Sequence, residues 1–432
     1  MARAGTDNDI PASEGTDFSR NDGMSEERFA RGFMRILIPA FLAVAVLYSL
    51  MMPAWLSSDE PFHYKYIKVI QTELRIPSHE ETYQAAHPPL YYAAAAVWGL
   101  PFRSARSDAQ NHWLRLMSVV FGTLTVFIIF RIGRDALGSP ALGAGMAAFA
   151  AANPAFVAMN SVVNNDTAAI LACSATIYFI LTINRNGGSI WRAAACGAAS
   201  GLCCLVKINA NLIPVFFLFF YALHPANRSR KVSAICLETA VYLLVFAALA
   251  SSWFVAGYLD LGDRVFFNPV NETIPNYLHI PGNLLWFVKS HALNFWIPQD
   301  YLRGYPQNLP FMMKLLYFSL SALFAALAAV GLARAARGKR ELERHAMLSF
   351  YACAAVYIAQ MAVYNAQMPV AQARYAYIII APIAAVAAAP VKSILGDRFG
   401  AFVVGGAAVG FALHLVWSLV FLRSIGQMPF SV

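Results

Sequence analysis

Residues 33–56 read FMRILIPAFLAVAVLYSLMMPAWL, and residues 57–64 follow as SSDEPFHY. The first string is an apolar run long enough to cross a bilayer as a helix, which takes about 20 residues. The second places two carboxylates, Asp59 and Glu60, where that helix leaves the membrane, with aromatics and His63 close behind. Runs like the first recur along the 432-residue chain, which is 59% hydrophobic and only 13% charged. A soluble domain carries about 25% charged residues, and a closed barrel would show short alternating strands. The sequence therefore predicts an all-α polytopic membrane protein. Its net charge of +9 falls between apolar runs, as the positive-inside rule requires, and no nucleic-acid partner is expected.

Eleven spans are predicted, over 33–56, 114–130, 141–159, 167–183, 193–206, 208–223, 232–257, 314–333, 346–364, 375–391 and 399–422. Arg28, Arg31 and Arg35 hold the N-terminus in the cytoplasm. Each even-numbered span then ends at a basic cluster, for example Arg131 with Arg134, Arg228 with Arg230 and Lys231, or Lys392 with Arg398. The pair 193–206 and 208–223 is short and reads either as two spans or as one kinked helix. Residues 1–30 are polar and expected to be a disordered cytoplasmic tail. Residues 31–432 form the transmembrane domain, with long external segments at 57–113 and 258–313. The first should open with an amphipathic helix whose apolar face carries Phe62, Tyr66, Val69, Ile70 and Leu74. A second apolar piece, Leu90 to Phe102, reads as interfacial or re-entrant, and Leu284 to Trp296 as a further surface helix. The six cysteines lie in or beside apolar runs without zinc-site spacing and read as packing residues.

This topology gathers the notable polar residues on the external side: Asp59, Glu60 and His63; His87 before Pro88-Pro89; Asn164-Asn165-Asp166; Lys207; and Gln372, Arg374 and Tyr375. Carboxylates and cations at one membrane face point to an anionic, membrane-held substrate, because ionisable groups in spans are costly and are kept for function or pairing. Each has a local reading too. Ser57 and Glu60 have capping-box spacing, Asn164-Asn165-Asp166 fits the start of the next helix, and Lys207 has the stem length to snorkel to the interface. A helix N-terminus also lowers a carboxylate's pKa and weakens it as a base.

The order Asp59-Glu60-Pro61-x-His63-Tyr64, Pro88-Pro89-Leu90-Tyr91-Tyr92, Asn164-Asn165-Asp166, Leu205-Val206-Lys207 and Gln372-Ala373-Arg374-Tyr375 resembles the GT-C superfamily of integral-membrane glycosyltransferases. The similarity is to a bacterial branch of that superfamily. Related aminoarabinose-type enzymes have lysine where this chain has His87. The resemblance implies transfer of a sugar from a polyprenyl-phosphate donor to a lipid or glycan hydroxyl, at the external or periplasmic face of the bacterial inner membrane. It assigns Asp59 as base with Glu60 beside it. Lys207, Arg374 and His87 fall to the donor phosphate, and His63, Asn165, Asp166 and Tyr375 to substrate. A divalent metal ion is compatible with an acidic pair near a histidine, although these residues define no closed ligand set. The rival readings are a secondary transporter or lipid flippase, whose sites lie near mid-membrane within repeated halves, and a non-catalytic envelope subunit.

Overall fold

The computed structural model describes residues 14–57, 59–183, 188–261, 281–297, 311–338, 341–367 and 373–425. Within them every regular element is helical. The long first helix, α1 (Glu14–Met51), is followed by two short helices, α2 (Glu60–Glu73) and α3 (Leu90–Trp98). Next come α4 (Ser107–Arg131), α5 (Pro140–Ala151), α6 (Pro154–Met159), α7 (Asp166–Ile183), α8 (Ile190–Val206) and α9 (Ile213–Phe217). The chain continues as α10 (Val232–Leu261), α11 (Pro281–Asn294), α12 (Phe311–Arg337), α13 (Glu341–Gln367), α14 (Ile380–Leu395) and α15 (Phe399–Ile425).

Among the described residues seven helical stretches are long and apolar enough to cross a bilayer, which makes the chain a multi-pass membrane protein. These seven stretches do not by themselves confirm the predicted count of eleven. Several predicted spans are shorter helices: α5 has 12 residues, because Pro154 breaks the rod before α6, and α8 has 17. The last two predicted spans are α14 and α15, parted at a turn where Gly396 is left-handed (φ 53°); Lys392 near the end of α14 meets Glu26 and His414 of α15 meets Tyr48, so α15 runs back along α1. The pair at 193–206 and 208–223 is two segments, since Lys207 is extended (φ −156°, ψ 133°) between α8 and the turn at Ile208–Leu212. Close packing of α8 on α10 needs Gly197 and Gly201. A Cβ at Gly197 would lie 2.5 Å from the Tyr242 carbonyl oxygen, and one at Gly201 would lie 2.7 Å from Leu249. Small residues one helical turn apart let helix backbones approach where lipid offers no hydrophobic drive.

At its N-terminal side α1 begins at Glu14, inside the segment expected to be disordered, while residues 1–13 lie outside the described ones. The added turns are tied down by ion pairs, Glu27 to Arg134 at 2.9 Å and Glu26 to Lys392 at 2.8 Å. These acids meet residues from two of the basic clusters. At ~1.5 Å per residue, α1 carries the chain roughly 35 Å from that end to Met51. The opposite end holds α2, α3 and the polar residues singled out above.

Much of the expected external segment 258–313 lies outside the described residues, but α11 coincides with its predicted helix. In α2 the buried face takes in Tyr66 and Val69 of the predicted apolar stripe, with Ile70 packed beside them, and adds Glu60 and His63. Glu60, His63, Tyr66, Ile67 and Val69 are buried, while Leu74 is exposed in a left-handed cap (φ 54°). Glu60 and His63 are buried because tertiary partners wait for them, while Lys65, Thr72 and Arg75 stay exposed. Tyr66 stacks on Tyr92 of α3 at 3.7 Å between ring centroids, and both belong to a small core with Tyr91, Leu114 and Val163. The main core lies below, built from α1, α4, α5, α7 and α14 around Phe41, Phe156 and Tyr377.

Candidate active site

Asp59 is the residue on which α2 begins, and Pro61 in the first turn sets the helix without needing an N–H donor. The expected capping box does not form. Asp59 rather than Ser57 is the cap residue, and no side chain closes the first turn. Glu60 instead turns into the protein, where Arg115 of α4 grips both its oxygens at 2.7 Å. Both side chains are fully buried. Arg115 further donates to the carbonyls of Ser49 at 2.9 Å and Pro53 at 2.8 Å, and to that of Met52. Glu60 accepts the Val163 backbone N–H at 2.9 Å. One ion pair thus fastens the end of α1, the start of α2, and the strand of chain leading into α7.

Asp59 faces the other way and keeps 21% of its side chain accessible. Its Oδ2 accepts from Arg374 Nη2 at 2.9 Å and its Oδ1 from the Tyr83 hydroxyl at 2.8 Å. Arg374 lies on a seven-residue 3₁₀ turn, Ala373–Ile379, which precedes α14. That length is unusual, since such turns seldom exceed 3–4 residues. The Arg374 Nε is 3.9 Å from Asp166 Oδ2, and Lys207 reaches Asp166 Oδ1 at 2.5 Å and Asn165 Oδ1 at 3.3 Å. Asp59, Arg374, Asp166 and Lys207 therefore form one chain of alternating charge. Tyr375 lies under both cations, 5.4 Å from Lys207 and 5.5 Å from the Arg374 guanidinium.

Asn164 serves the helix instead. Its Oδ1 accepts the Thr167 N–H at 3.1 Å and its amide donates to the Met159 carbonyl at 2.9 Å, which closes the start of α7. That leaves Asn165 and Asp166 facing the cations, with the Asn165 Nδ2 buried and unpartnered.

Burial alone would raise the Asp59 carboxyl, but the Arg374 guanidinium and the Tyr83 hydroxyl outweigh it and hold the group well below the usual carboxylate range. Burial pushes His63 down to about 4, against the pull of Asp59. His63 Nδ1 sits 2.9 Å from the Tyr92 hydroxyl, a neutral pairing. Burial, with Lys207 nearby, likewise takes His87 down to about 3. His87 Nδ1 is enclosed without a partner. A neutral imidazole offers a phosphate a hydrogen bond and no charge. His87→Gln should therefore cost only about two- to tenfold in kcat/KM, read from donor-saturation curves.

The structure brings together eight of the nine residues predicted for the site: Asp59, His63, His87, Asn165, Asp166, Lys207, Arg374 and Tyr375. It turns Glu60 away into its own buried pair. Gln372 lies outside the described residues. Sequence reasoning passed over Tyr83 and Arg115, and quoted Tyr92 in a motif without giving it a site role. The signal for Arg115 was available, because an arginine within the first turns of an apolar helix calls for a buried acid. No three or more histidine, cysteine or acidic side chains converge on a metal position among the described residues. Asp59 and Asp166 each face a cation, so these residues do not fit a divalent ion.

An apolar cavity of about 750 Å³ adjoins the site. Phe295 and Trp296 after α11, Phe324 of α12, Tyr357 of α13 and Ala373 with Ala376 line it. The 3₁₀ turn that carries Arg374 and Tyr375 is thus also a wall of this cavity.

The family of dolichyl-phosphate-mannose-protein mannosyltransferases matches residues 87–253, less than half of the chain. No curated protein matches significantly in sequence. In structure, the oligosaccharyltransferase of Archaeoglobus fulgidus, tethered to an acceptor peptide, superposes with a TM-score of 0.50 at 15% identity. That alignment covers 89% of this chain and 54% of the oligosaccharyltransferase, so the chain spans about half of that protein's length. ArnT from Cupriavidus metallidurans, bound to undecaprenyl phosphate, aligns with a TM-score of 0.45 at 15% identity, over 85% of this chain and 78% of ArnT. In fold, and over residues 87–253 in sequence, the chain resembles the GT-C glycosyltransferases, as its motifs predict.

Proposed function

We propose that the chain is a glycosyltransferase that moves a sugar from a polyprenyl monophosphate donor to an acceptor hydroxyl, with inversion at the anomeric carbon. The contact that carries this reading is Asp59 against Arg374, a carboxylate and a guanidinium 2.9 Å apart beside an apolar cavity. A base and a phosphate ligand side by side suit displacement of a phosphate by an alcohol. A translocation pathway would instead place its charges near mid-membrane. The family matched over 87–253 is described by a lipid-phosphate sugar donor, which supports the donor class.

In the reaction, the acceptor oxygen attacks the anomeric carbon and its proton passes to an Asp59 oxygen. The bond from that carbon to the phosphate oxygen breaks, and polyprenyl phosphate leaves with the electron pair. Arg374 and Lys207 stabilise the charge that develops on the leaving phosphate. The cavity beside them takes the start of the polyprenyl chain. Asn165, with a free amide hydrogen, and Tyr375 contact the donor, Asp166 holds Lys207 in place, and His63 and His87 serve as neutral hydrogen-bonding groups. Glu60 is a positioning residue that acts through Arg115. The site opens to the external or periplasmic side of the bacterial inner membrane, with the basic clusters and the N-terminus in the cytoplasm.

The experiment is transfer by purified protein from a radiolabelled polyprenyl-phosphate sugar, with Arg374→Ala beside the wild type. Loss of one charge-assisted contact to phosphate should raise donor KM about ten- to hundredfold while acceptor KM moves little. An unchanged donor KM would remove Arg374 from the phosphate site.

A further inference from the structure

The two aspartates of the site do not repel each other, because Arg374 stands between them. Asp59 comes from the junction of α1 and α2, and Asp166 from the first turn of α7. Arg374 Nη2 lies 2.9 Å from Asp59 Oδ2, and its Nε lies 3.9 Å from Asp166 Oδ2. A position flanked by two carboxylates from separate elements is one that a hard divalent cation would bridge with its oxygen ligands. Here a side chain fills it. Lys207 supplies a second fixed charge on the far oxygen of Asp166. We infer that Arg374 takes the place of a divalent cation between Asp59 and Asp166, so that this site works with its own two cations and binds no metal.

Three observations support this. The guanidinium is only 9% exposed and is held from below by the Tyr375 ring, so it is part of the built site and not a surface group folded in. The nearby histidines are not arranged as ligands: His63 Nδ1 is engaged by Tyr92, and no third ligand converges with the two aspartates among the described residues. Finally, the four charges, Asp59, Arg374, Asp166 and Lys207, sum to zero. An added divalent ion would sit beside two buried cations in a poorly screening environment. The part of the inference that concerns catalysis rests on the transferase reading; the part that concerns metal binding does not.

Binding of Mn²⁺ to the purified protein, followed by the electron paramagnetic resonance signal of the free ion, tests it without substrate. The wild type should take up no Mn²⁺ at the site. Arg374→Met, which removes the bridging charge but keeps an unbranched side chain, should gain Mn²⁺ affinity by at least about tenfold over the wild type. Adding Asp59→Asn to that variant should abolish the gain, and Arg374→Lys should behave like the wild type. Transfer by the wild type should survive exhaustive chelation within about twofold, since no step needs a Lewis acid. Stoichiometric Mn²⁺ binding by the wild type that Asp59→Asn removes would overturn the inference. So would transfer lost on chelation and restored by metal, or an Arg374→Met variant that folds and gains nothing. If that variant fails to fold, Mn²⁺ uptake by the wild type decides alone. If the wild type transfers no sugar but the Mn²⁺ results hold, the functional proposal fails and the occupancy of the site by Arg374 stands.

Discussion

Asp59→Asn should lower the transfer rate by about 10²–10⁴-fold, the usual contribution of a positioned general base, while the protein still folds and inserts. The fold should survive because the Asp59 contacts are peripheral to the packing. Arg374 keeps Asp166, Tyr83 is exposed, and the buried anchor of this region is the neighbouring Glu60. Asparagine has the same shape and can still accept from Tyr83, but it cannot take the acceptor's proton. The depressed acidity of Asp59 has a consequence for pH dependence. A carboxyl whose pKa is lowered in the folded protein is ionised above that pKa and loses its ion pair only as pH falls through it. His63 and His87 lose their charge even below pH 5. None of these groups therefore titrates near neutrality in the free enzyme. The wild-type profile of kcat/KM should be flat between about pH 5 and about pH 7, with no limb from these groups. Wild-type turnover by Asp59→Asn, measured with labelled donor at saturating acceptor, would remove Asp59 from the chemistry.

A base with a low pKa is a weak one, and the ion pair suggests how the proposed site would tolerate that. Arg374 neutralises Asp59. On the proposed mechanism a donor phosphate would compete for the same guanidinium, and its negative charge next to Asp59 would raise the affinity of that carboxylate for a proton. The proposed base would then be strongest when the leaving group is in place. In that proposal the apolar cavity along the 3₁₀ turn would be the lipid's route to Arg374.

How much of this the sequence discloses depends on whether the interaction is local. Apolar runs of helical length are a local signal, and so helices appear where the runs are, from α1 to α15. Their lengths are less local, because they depend on where prolines cut a rod, as at Pro154, and on where the chain turns back, as at Gly396–Arg398. Charge alternation along the chain correctly groups Asp59, Asp166, Lys207 and Arg374, since membrane crossing parity is a counting argument. It does not carry distances. Asp59 and Arg374 are 315 positions apart, and only the packed protein shows them in contact while Glu60, the adjacent residue, points elsewhere. The capping box at Ser57 and Glu60 is the instructive failure. The spacing is right and the local energetics favour it, by about 0.5–2 kcal/mol. A buried arginine offers Glu60 a charged bidentate partner that a backbone N–H cannot match. Tertiary context also widens the buried face of α2, so that Glu60 and His63 join Tyr66 and Val69 of the apolar stripe.

That arginine sets the second large expectation. Glu60→Gln should destabilise the protein by about 3–5 kcal/mol, because it leaves the Arg115 charge buried without its partner. The loss should appear as a drop in the apparent Tm in detergent and in folded yield. Transfer should fall with it, since the pair ties the Asp59 junction to the Val163 backbone that leads into Asp166. Arg115→Met alone should be as damaging, as it strands the Glu60 carboxylate. The double variant, Glu60→Leu with Arg115→Met, separates structure from chemistry. Replacing a buried ion pair by apolar groups is often neutral or better for stability. Here it also leaves the carbonyls of Ser49, Met52 and Pro53 without the Arg115 donors. Recovery of Tm should therefore be partial, because buried acceptors left unpaired cost about 1–3 kcal/mol. Recovery of transfer should be smaller still, because nothing then holds the end of α1 and the loop before α7 at a fixed separation. Arg115→Lys should fail to rescue either property, since an ammonium cannot bond both Glu60 oxygens and three carbonyls from one position. A Glu60→Gln protein with wild-type Tm and wild-type transfer would show that the pair is dispensable, and would return the acidic doublet to a shared catalytic role.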